Sequence, residues 1–323
     1  MQVYSLKNVD EAYSLPKHLD CLLLACGADN RAYEILRKFQ AHGISVDRVI
    51  LFDFIERNEG LDNDKQTKEA YCNYQKYNYN YLILKVSLME PSAAIKTLKE
   101  QGIDFASLIN IGLDISCFTK PFFFLLMKVL KSEYSISIMA VFYTEPKSYF
   151  FAKGLYDSYR SSSGPLRVIE VPGFTGVTTR RSKRLLVIQL GFDGDLSREI
   201  NEDVAPAETI IINGFPSYEP KLKDISLICN EKLVGNPRNV LKYSRANNPF
   251  EVYNLLDSLK KGNSPDVFMN IAPLGTKPMA LGACLFALHN PDVRIVYPMP
   301  QKYEKVTTDN CWTSWFYKMP LTA

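Results

Sequence analysis

Two segments of this chain read as versions of one strand–turn–helix junction, and that repetition limits the fold more than any other feature. The stretches Asn110-Ile-Gly-Leu-Asp-Ile-Ser-Cys-Phe-Thr-Lys-Pro and Asn270-Ile-Ala-Pro-Leu-Gly-Thr-Lys-Pro each follow an apolar run and precede an apolar segment of helical length. Tyr143, Pro146 and Tyr149 follow the first junction, and Tyr297, Pro300 and Tyr303 follow the second with the same spacing among themselves. Agreements of this kind point to a unit copied within one chain.

The surrounding sequence reads as α/β. Cys21 to Ala25 is a short apolar run, a turn carrying Asp29 and Asn30 follows, and helical periodicity then runs through Tyr33, Leu36 and Phe39 to a second apolar run, Val46 to Phe54. Strand, turn, helix, strand is the opening of a parallel unit. Tyr81 to Ser87 predicts a strand, Pro91 to Gly102 a helix stopped by its glycine, and Ser107 to Ile111 the strand entering the first Thr-Lys turn. The second half repeats the plan. Arg184 to Leu190 and Thr209 to Asn213 predict strands, Pro249 to Lys260 a helix, Val267 to Ile271 a strand, Pro278 to Leu288 a helix and Val293 to Tyr297 a strand. The expected fold is α/β, with two tandem Rossmann-like lobes whose mostly parallel sheets are related by internal duplication. The first lobe is expected at 1–152. A linker region rich in turn chemistry (Ser161-Ser-Ser-Gly-Pro165, Pro172-Gly173) follows at 153–183, with a strand pattern inside it from Leu166 to Val171. The second lobe is expected at 184–323, ending in an aromatic tail with Trp312, Trp315, Phe316 and Tyr317.

A chain of 323 residues exceeds what one hydrophobic core organises, which agrees with two lobes. A net charge of +3 is too mild for an extended nucleic-acid surface. The seven cysteines are odd in number and scattered without a Cys-x-x-Cys pair, as in a reduced, cytoplasmic chain. His18, His42 and His289 show no metal-ligand spacing with cysteine or carboxylate, so no metal is expected. The N-terminus lacks the pattern of a signal peptide, and the apolar run from Pro121 to Met127 is too short for a membrane span. No membrane partner is expected.

Function has to be argued from the turns. In a parallel sheet, ligands collect at the carboxyl ends of strands, where helix N-termini present unpaired N–H groups and the positive end of a dipole. Thr276 and Lys277 stand where a hydroxyl and an ammonium complete such a cradle, and Gly275 lets backbone approach closely. Thr119 and Lys120 repeat the pair, with Phe118 in place of the glycine. Asn270 and Asn110 precede the turns and either brace the loop or contact a base. Asp29 and Asp193, in the first-strand loops, either bind ribose or cap the following helix, and Arg31 adds a fork for phosphate. Neither loop matches Gly-x-Gly-x-x-Gly or the Walker pattern, so no NAD or ATP cofactor is expected. Asp29, Asp193, Asp195 and Glu145 are acid/base candidates for an enzyme acting on a nucleotide or sugar phosphate, with no pair fixed by spacing. A third reading is an interaction protein whose turns only cap helices.

Leu274-Gly-Thr-Lys-Pro-Met-Ala280 resembles the Gly-Thr-Lys turn of the CRISPR-associated Rossmann-fold (CARF) sensor domains, in particular those of the Can/Card group of cyclic-oligonucleotide-activated nucleases. The likeness runs from Asn270 to Leu281. It implies a pocket for cyclic oligoadenylate at a twofold interface between two such domains, here an interlobe cleft. The matching positions are Thr276 and Lys277, Thr119 and Lys120, and the loops around Asp29 and Asp193. Leu274 departs from the family's usual glycine. The resemblance implies an antiviral-defence protein that binds a phosphate-bearing, nucleotide ligand: a sensor or regulatory subunit working with a separate effector or partner protein, or a ligand-degrading relative.

Overall fold

A computed structural model describes residues 3–5, 15–26, 31–55, 74–149, 162–163, 167–177, 183–299, 302–303 and 308–322. The chain forms two compact units, Met1–Tyr149 with Thr307–Ala323 and Phe150–Val306. Among the described residues no helix is long and apolar enough to cross a membrane.

The first unit carries β1 (Val3–Ser5), β2 (His18–Leu19), β3 (Cys21–Ala25), α1 (Arg31–His42), β4 (Ser45–Val46), β5 (Val49–Phe54), β6 (Tyr81–Val86), α2 (Pro91–Glu100), β7 (Ile111–Asp114), α3 (Lys120–Tyr134) and β8 (Ile138–Tyr149). Its seven-stranded sheet runs β1-β17-β8-β7-β3-β5-β6, where β17 is Thr308–Pro320. From β8 to β6 the strands are parallel; β17 runs antiparallel to β8, and β1 runs antiparallel to β17. Every residue of β3 and β5 is buried, as in strands covered on both faces. Burial also pushes the Cys21 thiol up to about 12, so that this cysteine packs as a small neutral hydrophobe. Helix α3 starts with Pro121 in its first turn, where the missing N–H has no intrahelical partner, and ends at Ser135 in the left-handed region.

The second unit contains β9 (Ser162–Ser163), β10 (Arg167–Thr175), β11 (Lys183–Gln189), α4 (Gly194–Val204), β12 (Glu208–Gly214), α5 (Pro220–Cys229), α6 (Glu231–Val234), β13 (Val240–Ser244), α7 (Pro249–Gly262), β14 (Val267–Pro273), α8 (Lys277–His289), β15 (Arg294–Met299) and β16 (Lys302–Tyr303). Its six-stranded sheet runs β10-β15-β14-β11-β12-β13, with only β10 antiparallel. Helix α8 is apolar all round and buried along nearly its whole length, as a helix between a sheet and another helix must be. Outward from the antiparallel strand, each sheet runs through the fifth, fourth, first, second and third strands of its parallel unit. That is the order expected of two copies of one Rossmann-like unit.

Three expectations change. The aromatic tail, expected with the second lobe, is β17 and pairs along β8 from Tyr149 to Ile138 in the first sheet. The region expected as linker contributes β10, which pairs with β15 in the second sheet. The strand expected at Ser107 to Ile111 begins instead at Ile111. Ahead of it Asp104 caps a 3-10 turn at Phe105–Ser107, and the Ser107 hydroxyl donates to the Asp104 carbonyl. These local side-chain bonds compete with the ladder.

Candidate functional site

At the carboxyl end of the second sheet, three loops meet. The connection after β11 brings Gly191 so close to the last residue before the Thr-Lys turn that a Cβ on Gly191 would lie 2.6 Å from the Leu274 carbonyl oxygen. Gly275 lies against the end of β11, where a Cβ would come within 3.2 Å of the Gln189 side chain and 3.3 Å of the Leu190 carbonyl. A side chain at Gly191 would have to displace backbone, and one at Gly275 would crowd the end of β11 and Met279. Because β11 connects to β12 on one side and receives β14 on the other, this is the switch point where ligands of open parallel sheets gather.

Thr276 is the N-cap of α8. Its hydroxyl accepts from the Met279 N–H at 3.3 Å and donates to the carbonyl of Ala246, so its cap also ties the loop after β13 to the turn. Lys277 opens α8 half-buried at the rim, beside the positive end of the helix dipole. Asp193 is buried and caps α4, accepting from the Leu196 N–H at 3.4 Å. The preceding loop is braced by Ser226 and Asn230, which both donate to the Gly191 carbonyl, at 3.2 and 3.0 Å.

Asn270 is not at the rim. It is buried in the middle of β14, its amide donating to the Leu185 and Phe268 carbonyls, which is the loop- and sheet-bracing alternative rather than a base contact. Asn110 lies at the amino end of β7, where its N–H donates to the Asp20 carboxylate, so the two asparagines do not occupy equivalent places.

In the first unit the corresponding turn is built differently. Phe118 is buried, stacked on Phe122 with centroids 5.5 Å apart and edge-on to Phe52 at 5.4 Å. Thr119 occupies the N-cap of α3 without a side-chain cap bond, and Lys120 opens the helix half-buried. Arg31 opens α1, also half-buried. Asp29 lies outside the described residues. Of the other acidic candidates, Asp195 pairs with Arg198 at 3.7 Å, and Glu145 is buried and accepts from the Trp315 indole at 2.5 Å. Tyr143 is buried in β8, and Tyr297 is half-buried in β15. The side chains of Tyr149 and Tyr303 lie outside the described residues.

One cluster escaped the sequence reading. His18 Nε2 lies 3.2 Å from both Asp20 and Asp47, and its Nδ1 lies 2.9 Å from the Ser45 hydroxyl. Sequence spacing shows only the first of these neighbours; the pairing of β2 with β4 supplies the other two. Asp20 also accepts from the Ile109 and Asn110 N–H groups at 2.7 and 2.8 Å, and the Asn110 bond is the largest cause holding its carboxyl below the ordinary range. The cluster precedes β3 and β5, at the amino end of the first sheet, opposite the end where the Thr-Lys turn stands.

No family model matches the sequence, and neither does any curated protein. Among solved structures, the chain is similar to a type III CRISPR defence DNA nuclease activated by cyclic oligoadenylate, at 11% identity and a TM-score of 0.54, over 86% of this chain and 65% of that one. It thus spans less than two thirds of the nuclease. A Treponema denticola trans-2-enoyl-CoA reductase in complex with NAD also aligns at 11% identity, over 80% of this chain and 68% of the reductase, but its TM-score of 0.25 carries no structural argument. The first likeness shows a shared α/β fold.

Proposed function

Given that fold, we propose that this chain binds a phosphate-bearing nucleotide signal, of the cyclic oligonucleotide kind, at the carboxyl rim of its second lobe. It acts there as a sensor or regulatory subunit of the Can/Card type. The observation that carries the reading is the junction of the Gly191 loop with the Gly275–Lys277 turn at the β11/β14 switch point, where two glycines hold backbone close and a lysine opens a helix. Lys277 supplies the charge beside the positive end of the α8 dipole, while Pro278 has no N–H and the Met279 N–H is held by Thr276. Thr276 shapes the turn through its bonds to Ala246 and Met279. Activation by cyclic oligoadenylate is a property of the similar nuclease and supplies the first ligand to try.

Isothermal titration of the full chain with cyclic and linear oligoadenylates is the direct test. Saturable binding is expected for the cyclic series, and analysis of the mixture for shortened or linearised products separates a sensor from a ligand-degrading relative. Folded protein that takes up none of these ligands would end the proposal.

A further inference from the structure

A second feature of the same rim has no part in anion binding. Phe215, immediately after β12, and Tyr243, in the edge strand β13, leave about half of their surface in water, 52% and 47%. Their rings meet edge to face with centroids 6.0 Å apart. Lys223 of α5 places its ammonium 5.4 Å from the centre of the Phe215 ring and pairs with Asp224 at 3.0 Å. Single exposed apolar residues need no explanation. Two adjoining rings with a cation over one of them form the arrangement on which nucleic-acid bases stack.

The pair is fixed to the Thr-Lys turn through one residue. The Phe215 N–H donates to the Ser244 carbonyl at 2.7 Å, and the Ala246 N–H donates to the Pro216 carbonyl at 3.1 Å. The Ala246 carbonyl in turn accepts from Thr276 and, at 3.1 Å, from the Tyr218 hydroxyl. Gly214, just before Phe215, approaches the first turn of α8 so closely that a Cβ there would lie 3.3 Å from the Met279 sulfur. The aromatic pair and the start of α8 thus share one rigid frame. In the first lobe the matching positions are Ile55, after the second strand, and Lys85, in the third, so among the described residues no aromatic pair stands there.

We propose that Phe215 and Tyr243 form a base-stacking subsite, taking a purine of the same ligand whose phosphate sits at Lys277, with Lys223 closing its open side. This rests on the nucleotide-binding reading of the second lobe and adds to it the element that distinguishes a nucleotide from a bare polyanion.

Titration calorimetry with two probes, a ring-size series of cyclic oligoadenylates and inorganic tripolyphosphate, separates the two ideas. Phe215→Ala and Tyr243→Ala are each expected to weaken cyclic oligoadenylate binding by about tenfold, the usual size of a lost stacking contact, and to leave tripolyphosphate unaffected. Phe215→Trp should restore binding, and Lys277→Ala should weaken both probes. If both alanine variants bind cyclic oligoadenylate like the parent while Lys277→Ala does not, the stacking subsite is wrong and the nucleotide site stands. If the parent binds neither probe, both ideas fall.

Discussion

The two Thr-Lys turns start from nearly the same letters and are built to opposite ends. Before Thr119 stands Phe118, whose ring fills the space beneath the turn in a cluster with Phe52, Phe54 and Phe122. Before Thr276 stands Gly275, which leaves that space to backbone and to the ends of β11 and α8. The hydroxyls differ in the same direction, since Thr276 is tied to Ala246 and Met279 while Thr119 makes no side-chain cap bond. A turn motif is therefore no site by itself. The residue before it decides whether the helix start faces an apolar plug or a cradle.

The largest effect that can break this comparison is in stability. Phe118→Ala removes a buried ring from an aromatic cluster and is expected to cost about 3–5 kcal/mol in chemical denaturation. A loss below ~1 kcal/mol would mean that Phe118 is not the plug described, because surface substitutions have effects of that size. Next comes charge. Lys277→Ala should weaken oligoadenylate binding by about 1.5–3 kcal/mol, as for a lost hydrogen bond to a charged group, with Lys120→Ala close to the parent. Equal losses in the two variants would show that the lobes contribute alike and that the contrast drawn from Phe118 has no functional meaning.

A smaller difference separates the two caps. Thr276→Ala should lower stability by ~1 kcal/mol, the typical cost of a lost N-cap, while Thr119→Ala should cost less because no cap bond is lost. The reverse order would contradict the hydrogen-bond pattern. Smallest is a pH effect at the far end of the first sheet. The Asp20 carboxyl is lowered from its ordinary 3.8, chiefly by the Asn110 N–H, so its ionised form is favoured by folding. Its contribution is complete above that ordinary value and is lost as pH falls through the lowered one. Because Asp20 is partly exposed, screening keeps the effect under about 1 kcal/mol. Asp20→Asn should flatten this acid limb of the stability profile, and an unchanged limb would remove Asp20 from the account.

Much of the fold was legible because buried parallel strands leave continuous apolar runs. Cys21 to Ala25, Thr209 to Asn213 and Val267 to Ile271 were read as strands and lie within β3, β12 and β14. Strand β13 was missed. Its sequence, Val-Leu-Lys-Tyr-Ser, is half-exposed at a sheet edge and carries no apolar run to read. The assignment of β17 was wrong for a different reason. An aromatic strand announces that it will pair, but nothing local says with which sheet. At the site, Thr276 and Gly275 were legible through turn chemistry. Asn270 stays open between bracing and base contact in the sequence, because an asparagine inside an apolar run reads equally well as rim or interior until the register is known. Phe215 and Tyr243 were overlooked, since neither belongs to a motif and only the pairing of β12 with β13 makes them neighbours.

The pairing of β17 with β8 also orders events during synthesis. The long edge of β8 is complete as soon as Tyr149 has emerged, yet its partner is translated only after the whole of the second unit. Until then the nascent chain carries an uncovered strand, the kind of edge that invites pairing with foreign chains. The first lobe is thus the earlier to be made and the later to be finished.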